Sequence, residues 1–167
     1  LMQIQYKTGD LLTASEPVIV HGCNAQGVMG SGVAKLIRAK YPGAYDAYEA
    51  RHKTRGLRLG EVIWADCSGH IVANAVTQEY YGRDGRRYAD YDAIERAFTS
   101  LNEVALATHD YKGERTPPPP KITSIAMPLI GAGLAGGSWK TISEIIERCS
   151  RDFQPVVYLI DGVVPST

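Results

Sequence analysis

The stretch PVIVHGC, residues 17–23, is apolar at nearly every position. It runs straight into residues 21–36, which place four glycines ahead of helically spaced apolar residues. A strand that is hydrophobic at successive positions, rather than at alternate ones, is covered on both faces. Helices must therefore lie on either side of the sheet that holds it. The same order of strand, glycine loop and helix returns in ITSIAMPLI, GAGLAGGS and WKTISEIIERCS, residues 122–150. Two such units in a chain of 167 residues favour an α/β sandwich whose sheet is parallel at its centre.

The other segments fit that frame. QIQYKTGDLL alternates as a half-buried strand does before Gly9-Asp10, and GEVIWADCSGHIVANAVTQ reads as two strands joined by a turn near Ser68-Gly69. PVVYLI is a last strand. Val33, Leu36, Ile37 and Tyr41 fall at helical intervals that Pro42 is expected to end, and Tyr91, Ile94, Phe98, Leu101 and Val104 mark a helix face from Asp90 to about Leu106. Ile142, Ile145 and Ile146 are expected to point inward. Residues 109–121, HDYKGERTPPPPK, lack periodicity; four consecutive prolines predict an extended, flexible loop and a spacer rather than a ligand for another domain. The whole chain, residues 1–167, is read as one domain.

Composition narrows the function. Eighteen Lys and Arg offset eighteen Asp and Glu, so no global field holds the chain on nucleic acid or an acidic membrane, and an anionic ligand must be recognised locally. Cys23, Cys67 and Cys149 are far apart, in neither CxxC nor metal-ligand spacing, which fits free thiols in a reducing compartment. His21, His52, His70 and His109 lie in different segments. Neither a metal nor a cofactor is expected. No basic stretch leads into an apolar run at the start, and no segment approaches the roughly eighteen apolar residues of a membrane span. The expectation is a cytoplasmic monomer without a membrane partner.

In parallel α/β sheets ligands gather at the C-terminal ends of the strands, where loops meet helix N-termini. Both glycine loops fall there. Gly27, Gly30 and Gly32 admit positive φ and lack the Cβ that would hold a ligand off the main chain, and the helix beyond offers unpaired N–H groups and a positive dipole end to phosphate oxygens. Residues 131–137 offer the same before Trp139, so two facing loops could bind a diphosphate from both sides. The glycines alone could equally serve only tight turns. A P-loop is excluded because GxxxxGK[ST] is absent, and GVMGSG does not complete the dinucleotide fingerprint GxGxxG.

TGDLL (8–12), HGCNAQGVMGSGVA (21–34) and MPLIGAGLAGGSW (127–139), in that order and spacing, resemble the macrodomain, a module that binds ADP-ribose. The resemblance is strongest to the branch of ADP-ribose 1″-phosphate phosphatases and phage-type macrodomains, whose asparagine motif also begins with His. It implies a three-layer α/β/α sandwich with a mixed, centrally parallel sheet. The implied ligand is ADP-ribose or ADP-ribose 1″-phosphate, or ADP-ribose carried on a modified macromolecule.

The resemblance also implies site roles. Asp10, with Leu11 beside it, would meet the adenine, although a carboxylate there can instead cap a helix. Asn24, next to Cys23, would orient the distal ribose, although Asn also forms turns. Gly30, Ser31, Gly32 and Val33 would line one side of the diphosphate, and Ile130, Gly131, Ala132, Gly133 and Leu134 the other.

For catalysis, the implied reaction removes the 1″-phosphate, with His21 and Asp84 as the catalytic pair and water as acceptor. His21 ends the buried strand close to Asn24 and carries a side chain that titrates near neutrality; its other reading is a histidine satisfied by hydrogen bonds at a strand end. Asp84 lies in QEYYGRDGRRYADYDAI, where Arg83, Arg86 and Arg87 could contact a terminal phosphate. Its other reading is a solvated turn with Gly85. Relatives that hydrolyse ADP-ribosyl bonds usually carry a lysine just after the NAVT strand, where this chain has Gln78, and some an aspartate in the second glycine loop, where it has Ala135. A non-catalytic ADP-ribose reader is the rival reading. A nucleic-acid-binding module would rest on RDGRR alone.

Overall fold

A computed structural model describes residues 2–167; Leu1 lies outside the described residues. The strands are β1 (Gln5–Thr8), β2 (Val18–Asn24), β3 (Val62–Cys67), β4 (His70–Gln78), β5 (Ser124–Met127) and β6 (Gln154–Leu159). The helices are α1 (Gly32–Lys40), α2 (Pro42–Arg55), α3 (Tyr91–His109) and α4 (Trp139–Cys149), with a short 3₁₀ turn at Leu11–Thr13. The strands form one sheet in the order β1-β6-β5-β2-β4-β3. Every neighbouring pair is parallel except β3 and β4, which form the antiparallel hairpin expected around Ser68-Gly69. Five strands therefore end on one edge of the sheet.

The alternation of side chains along each strand divides the core in two. Val18, Val20, Ala73, Ala75, Ile125 and Met127 pack with α3 and α4, around Phe98, Trp139 and Ile142. Ile19, Val72 and Ala126 point the other way and pack with Ile37, Tyr41 and Ala44 of the α1–α2 side. These are the three layers of an α/β/α sandwich with a mixed, centrally parallel sheet.

Three details depart from the sequence reading. Pro42 does end the first helix, but it also occupies the first turn of α2, where its missing N–H costs no helical hydrogen bond. That helix is hard to read because Ala44 and Tyr48 carry its buried face, and neither gives a strong apolar period. Leu36 is 53% exposed, on the outer side of α1. Helix α3 continues to His109, whose Nε2 donates to the Ile122 carbonyl at 2.6 Å while the Ile122 N–H donates to Thr108 Oγ1 at 2.9 Å. The two ends of the proline-rich loop are thereby joined.

A cleft between two glycine loops

The loop after β2 leads to α1 on one face of the sheet, and the loop after the adjacent β5 leads to α4 on the other. Neighbouring parallel strands whose connections part in this way leave a crevice at their C-terminal ends. Here it is a cleft of about 790 Å³, within the range of small-molecule sites. Residues 30–34 form one wall and residues 128–135 the other. Gln78, Tyr81, Gly82 and Arg83 close the end beside β4, and residues 158–161 close the end beside β6.

The first wall is built to present N–H groups. Ser31 flanks α1 in an extended conformation, φ −152°, and its hydroxyl makes no capping bond. The Lys35 N–H is the first to find a helical carbonyl, that of Ser31 at 3.3 Å, so the N–H groups of Gly32, Val33 and Ala34 stay available. On the facing wall the turn is tied by Gly136 N–H to Gly133 O at 3.0 Å and Gly137 N–H to Gly131 O at 2.7 Å. Among the described residues, the N–H groups of Gly133 and Leu134 have no such partner. Two sets of unpaired donors therefore meet across the crevice, and they suit an anion that a neutral chain cannot attract by net charge.

Asn24 sets the shape of the first loop. Its Oδ1 accepts from the N–H groups of Gln26 at 3.0 Å and Val28 at 3.3 Å, and its Nδ2 donates to the Val28 carbonyl at 2.8 Å. One Nδ2 hydrogen is left over for the cleft that Asn24 lines. The turn-forming reading and the ligand reading of this residue are compatible.

A family model for the Macro domain matches residues 20–146, the stretch from within β2 into α4. This chain is a macrodomain. It is 28% identical, over 94% of its length, to an ADP-ribose 1″-phosphate phosphatase of Scheffersomyces stipitis, of which it covers 99%. It is also 26% identical, over 95% of its length, to a DNA ADP-ribosyl glycohydrolase of Mycobacterium tuberculosis, but spans only 43% of that protein. Among solved structures, a protein of unknown function from Bacteroides thetaiotaomicron matches with a TM-score of 0.74 at 30% identity, covering 94% of this chain and 98% of its own.

In this macrodomain Cys23, Asn24, residues 30–33 and residues 130–134 all line the cleft. Asp10 and Leu11 do not. Asp10 Oδ1 accepts from the Leu12 N–H at 2.9 Å and caps the 3₁₀ turn, while Leu11 is buried in the core on the α1–α2 side. The capping reading of Asp10 describes its local structure.

His21 also lies outside the cleft lining. It is completely buried and bonded to Asn74 at 2.7 Å. Asn74 Nδ2 donates to the carbonyls of Ala44 at 3.0 Å and Ile63 at 3.1 Å, which leaves Oδ1 to accept, so the His21 proton is on Nε2. Burial lowers the His21 pKa to about 4, against the opposing effect of the Asn74 bond. Burial likewise pushes the Cys23 thiol up. Both groups are neutral at pH 7. Asp84 is exposed and accepts from Tyr88 Oη at 2.8 Å and pairs with Arg86 at 2.8 Å; the Tyr88 bond is the main cause that lowers its pKa. His21 and Asp84 share no partner, so the structure does not assemble them as a direct acid–base pair.

The cleft contains residues that the motifs did not indicate. Tyr158, Ile160 and Asp161 lie at the end of β6, and Ile160 is 86% exposed. Thr77 lies on the floor, with Tyr81 and Gly82 at the flap. Tyr81 and Gly82 belong to the segment QEYYGRDGRRYADYDAI already singled out around Asp84, whereas Thr77, Ile160 and Asp161 carried no motif of their own.

Proposed function

We propose that this macrodomain binds ADP-ribose in the cleft and hydrolyses the phosphomonoester of ADP-ribose 1″-phosphate to ADP-ribose and phosphate. The facing rows of unpaired N–H groups at residues 32–34 and 133–134 carry the reading. They give a diphosphate donors on both sides at the centre of the cleft, so the adenosine extends towards β6 and the distal ribose towards Asn24 and the flap. Arg83 lines that end and, among the described residues, forms no ion pair, whereas Arg86 is engaged by Asp84 and Arg87 stacks over Tyr91. A guanidinium free of carboxylates suits a terminal phosphate.

Asp84 follows Arg83 in the flap, just outside the residues that line the cleft, and its role in the proposed reaction is to orient the attacking water from that edge. His21 acts at one remove, by holding the strand end that carries Cys23 and Asn24. The phosphatase of Scheffersomyces stipitis, similar along nearly its whole length, supports this reading.

Release of ADP-ribose from modified DNA is the second reading, favoured by the mycobacterial relative. It would have to proceed without a lysine at Gln78, because a carboxamide carries no titratable proton at neutral pH.

Incubation with ADP-ribose 1″-phosphate, followed by assay of free phosphate, tests the proposal, with Asp84→Asn and His21→Ala alongside. Release that falls in Asp84→Asn while ADP-ribose binding persists is expected. No phosphate from the unaltered chain, with ADP-ribose freed instead from modified DNA, would overturn the phosphatase reading in favour of the second. Binding without either product would make the chain a reader.

A further inference from the structure

Thr77 stands near the end of β4, 1% exposed, and its Oγ1 has no hydrogen-bond partner among the described residues. A buried hydroxyl without a partner loses its hydration and gains nothing in return, yet this one lies in the lining of the cleft. Its main chain is anchored, since the Thr77 carbonyl accepts from the Asp90 N–H at 2.9 Å where the chain enters α3. The space around the hydroxyl is kept open by its neighbour on β2. A Cβ on Gly22 would come within 2.6 Å of Thr77 Oγ1 and 3.5 Å of Ile130 Cγ2, so any larger residue at Gly22 would displace the hydroxyl. Gln78 and Arg83 line the cleft at the same end.

The geometry points to Thr77 as a specificity-determining residue whose hydroxyl hydrogen-bonds an oxygen of the ligand's distal sugar, with Gly22 holding that position open. The inference rests on the ADP-ribose reading above and adds a contact to it. Any ligand that stops at the diphosphate fails to reach this hydroxyl. One that carries the second ribose supplies the missing partner. A neutral hydroxyl can donate or accept, so it serves a sugar oxygen without adding charge beside the diphosphate. Asn24, with one Nδ2 hydrogen remaining, faces the same sugar from the β2 side.

The test compares the full chain with Thr77→Val, which keeps the branched shape and removes only the hydroxyl, by calorimetric titration with ADP-ribose and separately with ADP. Thr77→Val is expected to weaken ADP-ribose about tenfold, the effect of one hydrogen bond, to leave ADP affinity unchanged, and to keep or raise the melting temperature. Equal affinities of both forms for ADP-ribose would overturn the assignment and leave Thr77 as a packing residue. Equal losses for ADP-ribose and ADP would overturn it too, placing the contact at the diphosphate. If the unaltered chain binds ADP but gains nothing from the second ribose, the assignment fails while a nucleotide site remains; if it binds neither, the ADP-ribose reading itself fails. Gly22→Ala provides a second arm: it is expected to weaken ADP-ribose, and Gly22→Ala with Thr77→Ala to relieve the crowding in the melting temperature without restoring the affinity. Full restoration of affinity in the double variant would contradict a role for the hydroxyl.

Discussion

His21 Nε2 donates to Asn74 Oδ1 at 2.7 Å, within a chain of bonds that continues through Asn74 Nδ2 to the carbonyls of Ala44 on α2 and Ile63 on β3. The thiol of Cys23 lies 3.9 Å from the other ring nitrogen, Nδ1. The histidine of the motif thus ties β2 to β4 and α2, and positions the cleft from behind.

This burial makes stability depend on pH. The folded pKa of His21 is about 4, against an ordinary value near 6.5. Between these values the unfolded chain binds a proton that the folded chain refuses. The contribution is complete above about pH 6.5 and is lost progressively as pH falls towards 4, by roughly 3 kcal/mol in all. Urea denaturation at pH 7.5 and 4.5 should show a larger drop for the unaltered chain than for His21→Gln, which has no proton to gain. Equal drops would mean that His21 titrates normally in the folded protein.

Asn74 is the keystone of the same network. Asn74→Leu would leave the buried His21 N–H without its acceptor, at a cost of about 1–3 kcal/mol, and would take a second donor from the Ala44 and Ile63 carbonyls, which keep their helix and sheet partners. The melting temperature should fall by roughly 5 °C or more. A change within a degree would show that the network contributes little.

How much of this was legible in the sequence depended on the kind of signal. The runs at PVIVHGC and ITSIAMPLI marked strands covered on both sides, and the glycines after them marked the two walls, because both features are local. Helix α2 was missed because Ala44 and Tyr48 hide its apolar period. The position of His21 was a matter of parity: it shares a face with Ile19 and Cys23, and only the packed structure reveals that α1 and α2 cover that face. Thr77 has no meaning until Gly22, which lies on another strand, is placed beside it.

The glycines of the second wall should separate fold from binding. Gly131 has φ +75°, and a Cβ there would lie 3.0 Å from Ile142 Cδ1 and 3.3 Å from both Ala89 Cβ and Ile94 Cδ1. Gly131→Ala should therefore destabilise by about 1–3 kcal/mol, lowering the melting temperature by several degrees. Nothing lies within 4 Å of a Cβ on Gly133, so Gly133→Val should melt normally while obstructing the cleft. Normal ligand affinity in Gly133→Val would mean that this wall does not face the ligand.

Arg83 should distinguish the phosphorylated ligand from the plain one. Arg83→Ala is expected to weaken ADP-ribose 1″-phosphate by about tenfold or more, as loss of a charge-assisted hydrogen bond does, with little effect on ADP-ribose. Competition titrations with the two ligands measure this directly. Equal losses for both would place Arg83 on the diphosphate.

The most direct test of the central claim is calorimetric titration of ADP-ribose into the chain, with Gly133→Val in parallel. The account predicts one site per chain and a marked loss of affinity in the variant at unchanged melting temperature. Absence of binding by the unaltered chain at millimolar ADP-ribose would contradict it.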